Sequence, residues 1–268
     1  PVAGFGTRFL PATKATPKEM LPIVDKPLIQ YAVEEAEKIG VEEFIFITHH
    51  AKSAIDKHFK HNENLYETLI KQGKQDLADS IKDIGGANAK FISVDQGEPK
   101  GLGHAIGCAN DLIDEGEFFA VILADDLIFS EGSNVLEQMK DQAEKYNKQV
   151  LALEKIPQKD ISKFGVVNPN STDGRISHLS GIVEKPSAAD APSDLAVVGR
   201  YIFKKDIFSH IDNDNVGKNG EIQITDAIMS NIEDFVGYEF HGERFDCGSK
   251  IGYLKANIAY GLQNHELK

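Results

Sequence analysis

The chain has 268 residues, 41% of them hydrophobic and 26% charged, a balance that buries an ordinary globular core and excludes disorder and fibrous structure. With 29 Lys and Arg against 42 Asp and Glu, the formal charge of -13 excludes general polyanion binding, so no nucleic-acid partner is expected and any phosphate chemistry is local. No apolar run approaches the roughly 20 residues that cross a bilayer, so no membrane partner is expected; Cys108 and Cys247, far apart and without metal-ligand spacing, read as reduced thiols of a cytoplasmic protein.

The chain opens without Met on Pro1-Val2-Ala3-Gly4, and residues 1–3 read as the remnant of a first strand. Residues 28–38 place Leu28, Tyr31, Ala32 and Ala36 on one helical face that stops at Gly40, and an apolar strand follows at 44–48. Leu65, Leu69, Ile81 and Ile84 predict one long helix ending at Gly85-Gly86. Short apolar runs at 91–94, 118–123 and 149–153 suit strands covered on both faces, and they alternate with helices at 104–113 and 134–146. This alternation is the signature of an α/β fold. After about residue 155 the texture changes: 164–168, the Asp173-Gly174 turn and 176–183 predict a β-hairpin. A strand at 197–203, a helix at 222–232, a strand near 238–240 and a closing helix at 251–262 follow. With 187–193 as a surface loop, the whole of 1–268 reads as a single domain.

Three segments carry candidate chemistry. In Ala3-Gly4-Phe5-Gly6-Thr7-Arg8 the glycines let backbone N–H groups approach a phosphate or a flat base. A dinucleotide fingerprint fails here, because Phe9 stands where a third glycine is needed and Pro11, Pro17, Pro22 and Pro27 forbid a continuous helix. A Walker loop fails too, for want of Gly-Lys-Ser/Thr. What remains is a long irregular loop concentrating Arg8, Lys14 and Lys18 in an acidic protein, which points to a phosphate site. Asp95–His104 leaves a strand and enters a helix, so Gln96 can read a base edge with its amide while Gly101 or Gly103 lies against the ring. Asp125 and Asp126 end an apolar strand and suit Mg²⁺, with Asp246 as a further carboxylate that sequence does not place beside them. No nucleophile and base form a recognisable pair, so transfer is expected to be direct.

The segments GFGTRFLPATKATPKEMLPIVDKPLIQY, VDQGEPKGLGHA, LADD, FGVV, VEKP, VVGRYIF, EIQITDAI and FDCGSKIGYLKA, in this order, resemble the bacterial UTP–glucose-1-phosphate uridylyltransferases among the sugar-nucleotide pyrophosphorylases. The resemblance implies a nucleotide-diphospho-sugar transferase fold: a Rossmann-like mixed, largely parallel central sheet flanked by helices, with the added β-hairpin region in the second half. Residues 1–155 would be the nucleotide-binding half and 156–268 the sugar-phosphate-binding half. It implies UTP and glucose 1-phosphate as substrates, UDP-glucose as product, Mg²⁺ as cofactor and a homo-oligomer, dimer or tetramer. Ala3, Gly4, Gly6, Thr7, Glu19, Gln96, Gly101 and Gly103 would hold the nucleotide, and Arg8 and Lys18 the triphosphate. Gly165, Glu184 and Gly199 would contact glucose, Lys185 its phosphate, and Asp125 or Asp126 with Asp246 the metal. The alternatives are thymidylyl or other sugar-1-phosphate nucleotidyl transfer and, from a different class, an inactive sugar-nucleotide-binding regulator.

Overall fold

A computed structural model describes every residue except 50–52, 83, 215, 216, 218, 219 and 268. In chain order, β1 (Pro22–Ile23) and β2 (Lys26–Pro27) form a small antiparallel ladder and lead into α1 (Leu28–Glu37). Next come β3 (Glu43–Thr48), α2 (Ser53–Phe59), α3 (Glu63–Lys71), α4 (Gln75–Ser80), β4 (Lys90–Asp95) and α5 (Leu102–Gly107). The middle of the chain supplies β5 (Phe118–Ile122), β6 (Asp126–Phe129), α6 (Val135–Tyr146) and β7 (Gln149–Lys155). The hairpin β8 (Gly165–Asp173) and β9 (Ile176–Glu184) is followed by β10 (Leu195–Lys204), α7 (Ile224–Ser230), β11 (Phe235–Glu239), β12 (Glu243–Asp246) and α8 (Lys250–Gln263).

Six strands form one mixed sheet in the order β5-β10-β7-β11-β9-β8. The α/β class, the mixed sheet and the hairpin are as expected. The parallel character is more local than "largely parallel" implies: β11 runs parallel to β7 and β3 to β4, whereas β10 lies antiparallel to both β5 and β7. Successive residues of β7 enter opposite cores. Val150 and Ala152 pack with α1 and α6 on one face, while Leu151 and Leu153 pack with α5 and α7 on the other. Burial on both faces explains why these strands read as continuous apolar runs.

Three expectations change. The long helix is two short ones, because Gly73 takes φ +70° after α3 and ends it; Leu65 stays exposed, whereas Ile84, beyond α4, packs against the core. Residues 1–3 do not form a regular strand, although the Val2 N–H donates to the Ile47 carbonyl at 2.7 Å. An apolar cavity of about 530 Å³ lies beside them, lined by Val2, Phe46, Ala120 and Ile202 among others but by none of the candidate residues. Finally, β6 and β12 pair with each other, which the sequence reading did not foresee, and their register sets Asp126 opposite Asp246.

Candidate active site

The first loop is held by single turns of 3₁₀ helix at Thr7–Phe9, Ala12–Lys14 and Lys18–Met20, as the prolines required. Gly6 has φ +62°, and a Cβ there would stand 3.1 Å from Lys18 Cβ; the Thr13 hydroxyl donates to its carbonyl at 2.7 Å. Glycine is thus needed to fold Gly4–Arg8 against Lys18, with Ala3 and Glu19 buried and Thr7 and Arg8 exposed. Lys18 Nζ donates to Asp125 Oδ2 at 2.5 Å. Burial alone would lower the Lys18 pKa, but the Asp125 and Glu19 charges raise it above its ordinary value, so the cation persists.

Asp125 and Asp246 converge. A Cβ on Gly248 would lie 3.0 Å from Asp125 Oδ2, 3.0 Å from Asp246 Oδ1 and 3.4 Å from Arg8 Nη1. The turn is fixed by the Cys247 N–H to the Asp125 carbonyl at 2.7 Å and the Gly248 N–H to Asp246 Oδ1 at 3.0 Å. Burial works against the Asp125 carboxylate, yet the Lys18 charge and hydrogen bond, then Arg8, hold it below the usual range. Two facing carboxylates beside two cations can share a divalent cation with a polyphosphate. Among the described residues no group of three or more His, Cys, Asp and Glu side chains is placed to hold a metal, so phosphate oxygens and water would complete its shell.

Asp126, counted with the metal acids in the sequence reading, is committed elsewhere. Its Oδ1 accepts from Arg244 Nη1 at 2.7 Å and its Oδ2 from the Gly199 N–H at 2.9 Å. Burial raises its pKa, with Arg244 pulling the other way. The reason is the turn between β5 and β6, closed by the Asp126 N–H to the Leu123 carbonyl at 3.0 Å: Asp125 lies in the turn and Asp126 is the first residue of β6, so the two carboxylates meet different partners. Gly199 packs tightly against Asp126: a Cβ there would come within 2.7 Å of Asp126 Oδ2 and Leu123 Cβ, and both its backbone groups have protein partners.

In the second loop Gln96 is buried, its N–H donating to the Thr48 carbonyl at 2.8 Å. Its Nε2 donates to His104 Nδ1 at 3.2 Å and to the Gly101 carbonyl at 3.4 Å, which orients the amide. Gly101, at φ +108°, stands just before α5 and Gly103 within it. Their Cβ sides meet Ile222, 2.7 and 2.9 Å from its carbonyl oxygen, so the glycines let Glu221–Gln223 clamp the loop. On the far side Gly165 and Glu184 are register partners across the hairpin, and Glu184 accepts from Thr225 Oγ1 at 3.1 Å. Lys185 follows at φ +45°, its Nζ 3.1 Å from Glu184 Oε1 and its N–H donating to the Phe164 carbonyl at 3.0 Å.

Sequence reasoning missed His104, Thr225, Arg244 and Gly248. For Arg244 a signal existed: in Arg244-Phe245-Asp246-Cys247, Phe245 and Cys247 are core residues, so period-two alternation puts Arg244 on the same face as Asp246. Burial pushes the Cys247 thiol up to about 12, which leaves it a packing group.

Comparison with known proteins bears on the same residues. The nucleotidyl transferase family model matches residues 2–262. The UTP–glucose-1-phosphate uridylyltransferase of Bacillus subtilis (strain 168) is 42% identical over 270 residues, covering 100% of this chain and 91% of the relative. A UTP-bound UGPase from Acinetobacter baumannii superposes with a TM-score of 0.90 at 40% identity, covering 100% of this chain and 93% of that one. A UDP-glucose pyrophosphorylase complexed with UDP-glucose gives 0.86 at 42% identity, covering 98% and 97%. A loop of cations facing two converging acids, on a fold matched over its whole length, places this chain in the nucleotidyl transferase family, among the UTP–glucose-1-phosphate uridylyltransferases.

Proposed function

We propose that the chain transfers UMP from UTP to glucose 1-phosphate, giving UDP-glucose and pyrophosphate, with Mg²⁺ held by Asp125 and Asp246. The observation that carries this reading is the convergence of Asp125, Asp246, Arg8 and Lys18 around Gly248. Mg²⁺, when bound, would supply positive charge to the α-phosphate and the departing pyrophosphate. Arg8 and Lys18 bind the triphosphate, and Lys185 binds the sugar phosphate, so three fixed cations offset the repulsion between two polyanions. A phosphate oxygen of glucose 1-phosphate attacks the α-phosphorus in line and the bond to pyrophosphate breaks. That oxygen is already ionised at neutral pH, so no side chain has to remove a proton.

Ala3, Gly4, Gly6, Thr7 and Glu19 form the nucleotide side together with Gln96, whose amide is oriented by His104; Glu184, with Gly165 beside it, faces the sugar. Residues 1–155 carry most of the nucleotide site and 156–268 most of the sugar-phosphate site, with Asp246 crossing back through β12. The reading of Cys108 and Cys247 as reduced thiols supports a cytoplasmic setting and the resemblance supports a homo-oligomer; among the described residues no helix is long and apolar enough to cross a membrane. Pyrophosphate release from glucose 1-phosphate with UTP, TTP, ATP, GTP or CTP, with and without a chelator, tests the reading. Preference for UTP that the chelator abolishes supports it, and release with TTP alone would replace it by thymidylyl transfer.

A further inference from the structure

We infer that Arg244 is a positioning residue that locks the acid-bearing strands to the loop presenting Lys185, so that the two substrates meet in line; the inference rests on the reaction proposed above. Its guanidinium is held from three sides. Nη1 donates to Asp126 Oδ1 at 2.7 Å, Nε donates to Glu154 Oε2 at 2.5 Å, and the plane lies over the Phe164 ring, 5.2 Å from its centroid. Each partner belongs to a different part of the fold. Asp126 opens β6 directly after Asp125, Glu154 is the last residue but one of β7, and Phe164 precedes β8. Arg244 itself stands two residues before Asp246 on β12, so the same strand face presents both.

The link to the sugar side runs through Phe164. Its carbonyl accepts the Lys185 N–H at 3.0 Å, and Lys185 holds φ +45°, a conformation a side-chain-bearing residue keeps only where its surroundings impose it. Displacing Phe164 therefore displaces the lysine backbone. The Arg244 side chain is 9% exposed, which keeps water from competing for its partners. A planar fork suits this junction because it can meet two carboxylates in its plane while offering a flat face to a ring, which an ammonium cannot do. Asp125, Lys18 and Arg8 are not among its partners, so its loss leaves the triphosphate contacts in place.

The test measures steady-state pyrophosphate release and UTP affinity for the wild type and for Arg244→Met, Arg244→Lys and Phe164→Leu, with folding followed by thermal melting. For Arg244→Met we expect kcat/KM for glucose 1-phosphate to fall about a hundredfold, the usual cost of misplacing reacting groups by about 1 Å, while UTP affinity stays within about threefold, the effect of a lost contact worth well under 1 kcal/mol. Arg244→Lys should remain close to Arg244→Met, because charge without the planar fork does not rebuild the junction. Phe164→Leu keeps both ion pairs and should raise KM for glucose 1-phosphate several-fold; it decides the matter if Arg244→Met does not fold. Wild-type kinetics toward glucose 1-phosphate in folded Arg244→Met, full rescue by lysine, or an unaffected Phe164→Leu would each overturn the inference while leaving the reaction intact. A wild type that releases no pyrophosphate overturns the reaction, and this inference with it.

Discussion

Replacing Gly248 by Ala adds one methyl group at the point on which Asp125, Asp246 and Arg8 converge. The new Cβ would sit 3.0 Å from each of two carboxylate oxygens, where ordinary contact begins at 3.4 Å, so each oxygen must retreat by about 0.4 Å. Gly248 is not among the glycines with positive φ, so Ala can adopt its backbone conformation, and the N–H to Asp246 Oδ1 survives. Folding should therefore change little, since Gly→Ala at a compatible site shifts stability by only about 0.4–1 kcal/mol. Activity should not be spared. Two ligands pushed apart in opposite senses misplace the cation by an appreciable part of 1 Å, and errors of that size cost about a hundredfold in rate, equivalent to about 2.7 kcal/mol of barrier. The assay is pyrophosphate release across a Mg²⁺ titration, with the melting temperature alongside. Gly107→Ala is the control, because a Cβ there meets Ile211 only at 3.8 Å. A folded Gly248→Ala protein with wild-type kcat and an unshifted Mg²⁺ midpoint would refute the assignment of the metal to Asp125 and Asp246.

Lys185→Ala should lower kcat/KM for glucose 1-phosphate by about 10²–10³ while the melting temperature holds, because its side chain is 37% exposed and its ion pair with Glu184 contributes little to folding; equal losses for both substrates would speak against a sugar-phosphate role. Arg200→Met strands Glu35 in the core, where Arg200 now meets it through Nη2 at 2.8 Å, and should cost about 3–5 kcal/mol in urea unfolding. Arg200→Met with Glu35→Leu should recover much of that, and a single variant within about 1 kcal/mol of wild type would contradict the pair's weight. His104 must stay neutral at Nδ1 to accept from Gln96, and burial together with the Lys100 charge lowers its pKa below 6.5, so the contact is intact at pH 7 and is lost as pH falls through that lowered value. Losing one hydrogen bond, about 0.5–1.5 kcal/mol, should raise KM for UTP about two- to tenfold on the acid side in wild type but not in His104→Gln; parallel profiles for the two proteins would exclude His104 as the group that titrates.

Local patterns carried the α/β class, the hairpin at Asp173-Gly174, the helix at 134–146 and the cation-bearing loop. Each depends on information a few residues wide: a period, a turn pair or a run of prolines. The family motifs likewise put Arg8, Lys18, Asp125, Asp246 and Lys185 on the page before any coordinates. Periodicity misled over 65–84, where the helix breaks at Gly73, so that Leu65 stays in solvent while Ile84 reaches the core from outside either helix. Tertiary structure alone distinguishes Asp125 from Asp126. Adjacent on the chain and identical in chemistry, they differ because Lys18 comes from 107 residues away to one and Arg244 from 118 residues away to the other. It also set what surrounds the glycines: the Cβ sides of Gly101 and Gly103 face Ile222, that of Gly199 faces Asp126, and that of Gly248 faces both Asp125 and Asp246. Sequence fixes which groups a chain possesses and which way each strand residue points, but which distant group fills the space beside each one is set when the strands pair and the loops close over them.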